Sequence, residues 1–194
     1  MRETTLLIVR HPETVANVTG RFVGRGDSPF TAEGRLQARR IPAKIAAFQP
    51  DEIWSSPLRR ALTVAEKAAQ LSGVPLYLDE RLQELDFGDA EGMTYEQIAE
   101  AGFAFNYRSL TEPVAPGGES RGSIERRVAG ITDELAGRDG RFVVVAHGGV
   151  VRAMLVRALG LSHTDVWAFH VHNAQLATVR IVDGHGMLEE YVSG

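Results

Sequence analysis

Two apolar runs in this sequence end in basic residues that could bind and attack an anion. Residues 6–9 are followed by Arg10 and His11, and residues 142–146 are followed by His147. Uninterrupted apolar runs of this length are typical of strands buried on both faces of a parallel sheet. Open α/β sheets bind their ligands at the carboxyl ends of such strands. If the two strands are neighbours, a guanidinium and two imidazoles lie together at one edge of the sheet.

Other potential anion ligands follow further segments of the same kind. The predicted strand 51–55 is followed by Arg59 and Arg60, which the dipole of a helix beginning there would not stabilise. We therefore expect Arg60 to face the site and its neighbour to be solvated. Gly148 and Gly149 begin a helix and leave backbone amides free to bind an anion, although glycines also suit a tight turn. Together these groups predict a site for a dianion such as phosphate.

The spacing of apolar residues predicts strands that alternate with helices. The predicted strands are 4–9, 51–55, 75–78, 142–146, 175–182 and 187–192. The predicted helices are 31–48, 57–73, 94–110, 120–137, 148–159 and 162–169, with a short helical turn at 13–18. Leu36 is expected to face the core, and Ser56 and Pro57 are expected to begin the second long helix. This order predicts an α/β fold of three layers, α/β/α, with a mostly parallel sheet and an antiparallel edge strand.

No linker or repeat divides the chain, so a single domain is expected over residues 1–194. The segment at about 92–118 interrupts the alternation of strands and helices and ends in a loop rich in proline and glycine. We expect this helical and loop excursion to cover the substrate. The acidic segment 79–92 has no clear period and is predicted to be a loop.

Composition excludes several classes of function. The formal net charge of -4 argues against a general nucleic-acid binder. The chain has no cysteine, which excludes thiolate metal sites and fits a cytoplasmic protein. No apolar stretch approaches the ~20 residues of a membrane span, and the first apolar run is too short for a signal peptide. A homodimer is the expectation from base rates alone.

Six groups of residues, in order along the chain, resemble the motifs of the histidine phosphatase superfamily, which includes the cofactor-dependent phosphoglycerate mutases. They are Arg10-His11-x-Glu13-Thr14-x-x-Asn17; Arg21-Phe22-x-Gly24 with Asp27-x-Pro29-Phe30-Thr31-x-x-Gly34; Ser55 or Ser56 with Leu58 and Arg60-Ala61; Leu82-x-Glu84-x-x-Phe87-Gly88-x-x-Glu91-Gly92; Pro116-Gly117-Gly118-Glu119-Ser120; and Val144-Val145-Ala146-His147-Gly148-Gly149-x-x-Arg152. The resemblance implies a phosphoglycerate mutase-like fold.

The resemblance also implies a role for each matching residue. His11 attacks phosphorus and becomes phosphohistidine, and Glu84 protonates the leaving oxygen and then activates water. Three further side chains surround the phosphoryl group: Arg10, Arg60 and His147. The implied phosphate and substrate ligands are Asn17, Val23, Gly24 and Gly148. Because arginines supply the positive charge, no metal and no cofactor are expected.

Two departures from the family pattern bear on function. Pro12 replaces the usual glycine after the nucleophile, so one backbone amide is lost from the phosphate loop. Gly149 stands where mutases typically carry asparagine, and the mutases' longer substrate segments have no counterpart here. These differences favour a phosphatase acting on a small phosphorylated metabolite. The alternatives are a phosphoglycerate mutase and a phospho-ligand sensor without turnover. His170 and His172 could bind a metal, but without a third ligand packing is the preferred interpretation.

Overall fold

A computed structural model describes residues 2–194, in which six strands form one sheet. The strands are β1 (Glu3–Arg10), β2 (Glu52–Ser55), β3 (Leu76–Leu78), β4 (Gly140–Ala146), β5 (Gln175–Val182) and β6 (His185–Ser193). Their order in the sheet is β3-β2-β4-β1-β5-β6. The first four positions are parallel, β5 pairs antiparallel with β1, and β6 pairs antiparallel with β5. The predicted mostly parallel sheet with an antiparallel edge strand is confirmed.

Helices cover both faces of this sheet, as the prediction of three layers requires. They are α1 (Val15–Val18), α2 (Ala32–Ala47), α3 (Arg59–Ser72), α4 (Tyr95–Ala101), α5 (Arg121–Ala136) and α6 (Gly148–Ala158). Apolar residues of α2 and α3 pack with Leu7 and Val9 of β1 in one core. Those of α5 and α6 pack with Leu6 and Ile8 in the other. Successive residues of a strand point to opposite faces, so two cores require the uninterrupted apolar run seen in β1.

The expected start of α3 and the expected burial of Leu36 are both wrong. Helix α3 begins at Arg59, and its N-cap is Leu58 rather than Ser56, whose hydroxyl bonds to His147 instead. Leu36 is 43% exposed. It precedes the buried Ile41 by five residues, which is about 140° around a helix, so the two side chains lie on different faces.

The excursion differs from the prediction in its second half. Helix α4 ends at Ala101 because Gly102 adopts a left-handed conformation with φ of 74°, and the helix does not continue to residue 110. Residues 103–118 form turns, from which Phe103, Phe105 and Tyr107 pack against the core. The predicted helix 162–169 is a 3-10 helix, His163–Ala168. The predicted loop 79–92 contains two 3-10 turns and buries several apolar side chains.

Among residues 2–194, no helix is long and apolar enough to cross a lipid bilayer.

Candidate active site

Three parallel strands bring the predicted residues to one edge of the sheet. Arg10, the last residue of β1, is in register with Ala146, the last residue of β4. The amide of His11 then donates to the carbonyl of Ala146 at 2.9 Å. His11 and His147 leave these strands side by side, with ring centroids 5.2 Å apart. The interpretation of the two apolar runs as neighbouring strands that end at the same edge is confirmed.

The imidazole of His11 is oriented by the residue that follows it. His11 is 4% exposed, and its Nδ1 lies 2.7 Å from the carbonyl oxygen of Pro12. A carbonyl only accepts, so Nδ1 carries the proton and Nε2 keeps a free lone pair. Burial, together with the charges of Arg60 and Arg10, lowers the pKa of His11 well below its ordinary value. The site therefore holds a neutral imidazole with one unprotonated nitrogen.

Two buried guanidinium groups flank this imidazole. Arg10 donates from Nη1 to the carbonyl of Val171 at 2.7 Å, and its buried Nε has no hydrogen-bond partner among residues 2–194. Arg60, from the first turn of α3, is 4% exposed and donates to the carbonyls of Gly26 and Gly24 at 2.8 and 2.6 Å. Burial lowers the pKa of both arginines, yet a guanidinium remains charged in proteins. Both guanidinium groups are held by backbone carbonyls in a position where they can bind an anion.

His147, the N-cap of α6, is completely buried, at 0% exposure. Its Nε2 lies 2.7 Å from the hydroxyl of Ser56, which also accepts from the amide of Leu58 at 3.3 Å. The Ser56 hydroxyl can donate to Nε2 or accept from it, and Nδ1 of His147 has no hydrogen-bond partner among the described residues. Burial and the charge of Arg60 lower the pKa of His147. A buried polar nitrogen without a hydrogen-bond partner is unfavourable.

The carboxylate of Glu84 is held against the start of α6. Its Oε2 accepts from the amide of Gly149 at 3.1 Å, and its Oε1 accepts from the amide of Leu85 at 3.0 Å. A Cβ atom at position 149 would lie 2.4 Å from Oε1 of Glu84. Glycine is therefore the residue that allows this approach, which gives a reason for the departure from asparagine at this position.

Asn17 is oriented so that its amide nitrogen remains available. Its Oδ1 accepts from the amide and hydroxyl of Thr14 at 3.0 and 2.8 Å and from Nδ2 of Asn173 at 3.0 Å. Those three bonds use the acceptor side of the carboxamide. The NH2 group is then free to donate to a bound anion.

Most of the predicted residues line one cavity of about 170 Å³. Seven of the nine do so: Arg10, His11, Asn17, Val23, Arg60, Glu84 and Gly148. The other two do not line this cavity. His147 is fully buried beside His11, and the backbone of Gly24 bonds to Glu91 and Arg60. The remaining lining residues are Thr14, Ala16, Arg21, Phe22, Phe87, Tyr107, Gly149 and Arg152.

Gly24 does not line the cavity but helps to hold Arg60 in place. Its amide donates to the carboxylate of Glu91 at 3.0 Å and its carbonyl accepts from Arg60. A Cβ atom there would lie 2.0 Å from the carbonyl oxygen of Leu85, so only glycine fits. This loop, which Glu91 also binds at the amide of Gly26, fixes the position of Arg60.

Sequence reasoning gave Arg152 no role of its own. It follows Gly148 by four residues in α6, a spacing that places both on one helix face and could have indicated it. No group of three histidine, cysteine or acidic side chains within residues 2–194 is arranged to hold a metal ion, His170 and His172 included.

Comparison with known proteins agrees with this geometry. The family model of the histidine phosphatase superfamily (branch 1) matches residues 6–193. A glucosyl-3-phosphoglycerate phosphatase of Mycolicibacterium vanbaalenii is 36% identical over 86% of this chain and 79% of its own. Phosphoserine phosphatase 1 of Hydrogenobacter thermophilus is 30% identical over 94% and 89%.

A solved structure shows the same fold. It is a mycobacterial glucosyl-3-phosphoglycerate phosphatase in complex with VO3, 31% identical, with a TM-score of 0.83 over 98% of this chain and 99% of that one. The chain described here therefore belongs to the histidine phosphatase superfamily, and it is a phosphatase of small phosphorylated metabolites.

Proposed function

We propose that the protein hydrolyses phosphate monoesters in two steps through a phosphohistidine at His11. In the first step Nε2 of His11 forms a bond to phosphorus, the P–O bond to the alcohol breaks, and Glu84 gives its proton to the leaving oxygen. In the second step Glu84 takes a proton from water, the water oxygen bonds to phosphorus, and orthophosphate leaves Nε2. The observation that carries this proposal is the free lone pair of Nε2, created by the bond from Nδ1 to Pro12.

Arg10 and Arg60 support the proposal through electrostatics. Both lie in the wall of the cavity that His11 lines. Their charges are largely buried, and fixed charges in such surroundings stabilise the negative charge of a transferring phosphoryl group more strongly than charges in water do. A divalent metal supplies the same charge in other phosphoryl-transfer enzymes, so these arginines make a metal unnecessary.

The test is hydrolysis of p-nitrophenyl phosphate by wild type, His11→Ala and a control, His185→Ala, whose side chain is exposed on β6. We expect His11→Ala to lose at least about 10³-fold in kcat, since no other nucleophile replaces the imidazole, and the control to keep its activity. Quenching wild type in alkaline detergent with 32P-labelled substrate should leave label on the protein that is stable to alkali and released by acid, and this label should be absent in His11→Ala. Activity should also survive EDTA. Substantial turnover by His11→Ala, or EDTA loss restored by a divalent ion, would overturn the mechanism.

The same assay separates hydrolysis from mutase activity. Release of orthophosphate without bisphosphoglycerate supports a phosphatase, and isomerisation that depends on bisphosphoglycerate supports a mutase. The named relatives act on phosphoserine and on glucosyl-3-phosphoglycerate, and we take phosphorylated metabolites of this size as the first compounds to screen.

We propose further that the enzyme works in the cytoplasm. The chain has no cysteine, and disulfides do not contribute to stability in that reducing compartment. We also propose that the segment 92–118 covers bound substrate, since Tyr107 from this segment lines the cavity of His11. A homodimer stays a prediction that sedimentation equilibrium would check.

A further inference from the structure

Arg152 is a cation in the catalytic cavity that the proposed chemistry does not use. It projects from α6, and it lines both this cavity and a smaller one of about 30 Å³ next to it. The two cavities also share Tyr107 and Gly149. Arg152 is partly buried, and its Nε donates to the carbonyl of Phe169 at 3.1 Å. Its two terminal nitrogens donate to no residue within 2–194.

The charges around the cavity are not balanced. Arg10, Arg60 and Arg152 are buried or partly buried, and no carboxylate of residues 2–194 lies within the 4.0 Å of an ion pair from any of them. Charges removed from water are costly unless they are paired. A phosphate dianion compensates the two arginines beside His11. Glu84 lines the same cavity, but in the protonated form that the proposed acid requires it carries no charge, so the charge of Arg152 remains without a carboxylate partner.

The leaving group of the substrate is directed toward Arg152. Glu84, which protonates the leaving oxygen, is bonded to the amide of Gly149, and Gly149 lies in the wall common to both cavities. Atoms beyond the leaving oxygen therefore pass Gly149 and reach Arg152 and Tyr107. The volume of the smaller cavity admits only a few atoms, as in a carboxylate.

The far wall of the smaller cavity carries no second unpaired cation. Arg121 lies there, but its Nη1 is 3.4 Å from Oε1 of Glu125, so these two charges compensate each other. An anion in the smaller cavity is consequently attracted to Arg152 rather than to Arg121. Trp167 also lines this cavity, with its ring centroid 5.9 Å from Cζ of Arg152. Its ring limits the width of an anion that can bind there.

We propose that Arg152 binds a carboxylate of the leaving group, which makes the preferred substrates phosphate monoesters of short hydroxy acids. This inference rests on the proposed phosphatase mechanism, because it uses Glu84 to locate the leaving oxygen. It assigns Arg152 to substrate selection, and it assigns the phosphoryl group to the two arginines that flank His11.

The experiment compares substrates that differ only in the carboxylate. The pairs are O-phosphoserine with O-phosphoethanolamine, and 3-phosphoglycerate with glycerol 1-phosphate. The measured quantity is the ratio of kcat/KM within each pair, for wild type, Arg152→Gln and Arg157→Gln. Arg157 is on the same helix and pairs with Asp133 on the surface, so it is the matched control for loss of one positive charge.

We expect wild type to prefer the substrate with the carboxylate in at least one pair. Arg152→Gln should lower that ratio of kcat/KM about 10- to 100-fold, which corresponds to the loss of one hydrogen bond to a charged group. Arg152→Lys should recover part of the preference, and Arg157→Gln should not change it. The inference is overturned if wild type shows no preference for the carboxylate in either pair. It is also overturned if Arg152→Gln slows both substrates of a pair equally and so keeps the wild-type ratio. Hydrolysis of p-nitrophenyl phosphate by wild type shows separately whether the phosphatase mechanism itself fails.

Discussion

At the scale of single residues, the absence of a side chain at Gly149 decides where Glu84, the proposed acid, can lie. The carboxylate occupies the space that a Cβ would fill, and it bonds to the amide at that position. Pro12 contacts the proposed nucleophile His11 through its backbone. It has no amide to offer a phosphate, but its carbonyl holds the proton on Nδ1 of His11. The departure at position 149 thus affects the placement of the proposed acid, whereas the carbonyl that Pro12 offers to His11 is one that glycine would also supply.

The role of Gly149 leads to a prediction. Gly149→Ala places a methyl group 2.4 Å from Oε1 of Glu84, so the carboxylate must move and lose its bond to the amide. We expect kcat for an alkyl phosphate to fall about 100-fold, within the usual range for loss of an acid catalyst. For p-nitrophenyl phosphate, whose leaving group needs no proton, the loss should be much smaller. Steady-state kinetics with both substrates is the measurement.

Gly130→Ala is the matched control, because a Cβ at that position of α5 has its nearest neighbour at 3.9 Å. It should leave both activities unchanged and stabilise the helix slightly. Equal losses with the two substrates in Gly149→Ala would mean that the methyl group disturbs phosphate binding instead of proton transfer.

At the scale of secondary-structure elements, α5 fixes the loop that carries Glu84. Arg127 of this helix donates to the carbonyls of Arg81, Gln83 and Glu84 at 2.7, 2.6 and 3.1 Å. It also forms two bonds of 2.9 Å with the carboxylate of Glu119. The loop lacks regular structure of its own beyond short turns, so this guanidinium supplies the backbone partners that a helix or sheet would otherwise provide.

Arg127 is therefore expected to act as a positioning residue. Arg127→Met should lower kcat about 10-fold or more for alkyl phosphates, with little change in KM, and much less for p-nitrophenyl phosphate. It should also lower the free energy of unfolding by about 3 kcal/mol, because Glu119, only 10% exposed, loses its partner. Kinetics and urea denaturation are the two measurements.

Arg157→Met is the comparison for this variant. Its ion pair with Asp133 is 53% exposed on both sides, so its removal should cost less than about 1 kcal/mol and leave kcat unchanged. If Arg127→Met slows both substrates equally, the helix serves stability and not the placement of the acid.

At the scale of the whole molecule, a neutral pair of histidines is buried where two strands of the sheet meet. The folded protein keeps His11 and His147 unprotonated, since burial and nearby arginines lower both pKa values. The unfolded chain protonates them near their ordinary pKa of about 6.5. Below that pH the unfolded state binds more protons than the folded state, so stability is complete above it and decreases as the pH falls.

We therefore expect the free energy of unfolding to decrease between pH 7.5 and pH 5.5. The slope below about pH 6.5 should approach 1.4 kcal/mol per pH unit for each buried histidine. Urea denaturation at several pH values measures it. His11→Asn removes one of the two groups and should show a shallower slope over this range. The same slope in wild type and His11→Asn would contradict the assignment of a lowered pKa to His11.

Much of the fold follows from local patterns in the chain. Apolar runs buried on both faces are typical of covered parallel sheets, so residues 6–9 and 142–146 indicate β1 and β4 as central strands. Because parallel strands end at one edge, the same runs predict that His11 and His147 meet. The less regular segment 92–118 was harder to predict, since glycine conformation and packing, rather than periodicity, end α4 at Ala101.

The strands, the edge where the candidate site lies and the residues that follow each strand can be predicted from the sequence, because hydrophobic period and chain direction are local properties. The tertiary structure alone decided which atoms of these residues remain free. The partner of Nδ1 in His11, the approach of Glu84 to Gly149 and the unpaired charge of Arg152 depend on contacts between distant segments. No local pattern encodes such contacts, because they arise only when separate elements pack together.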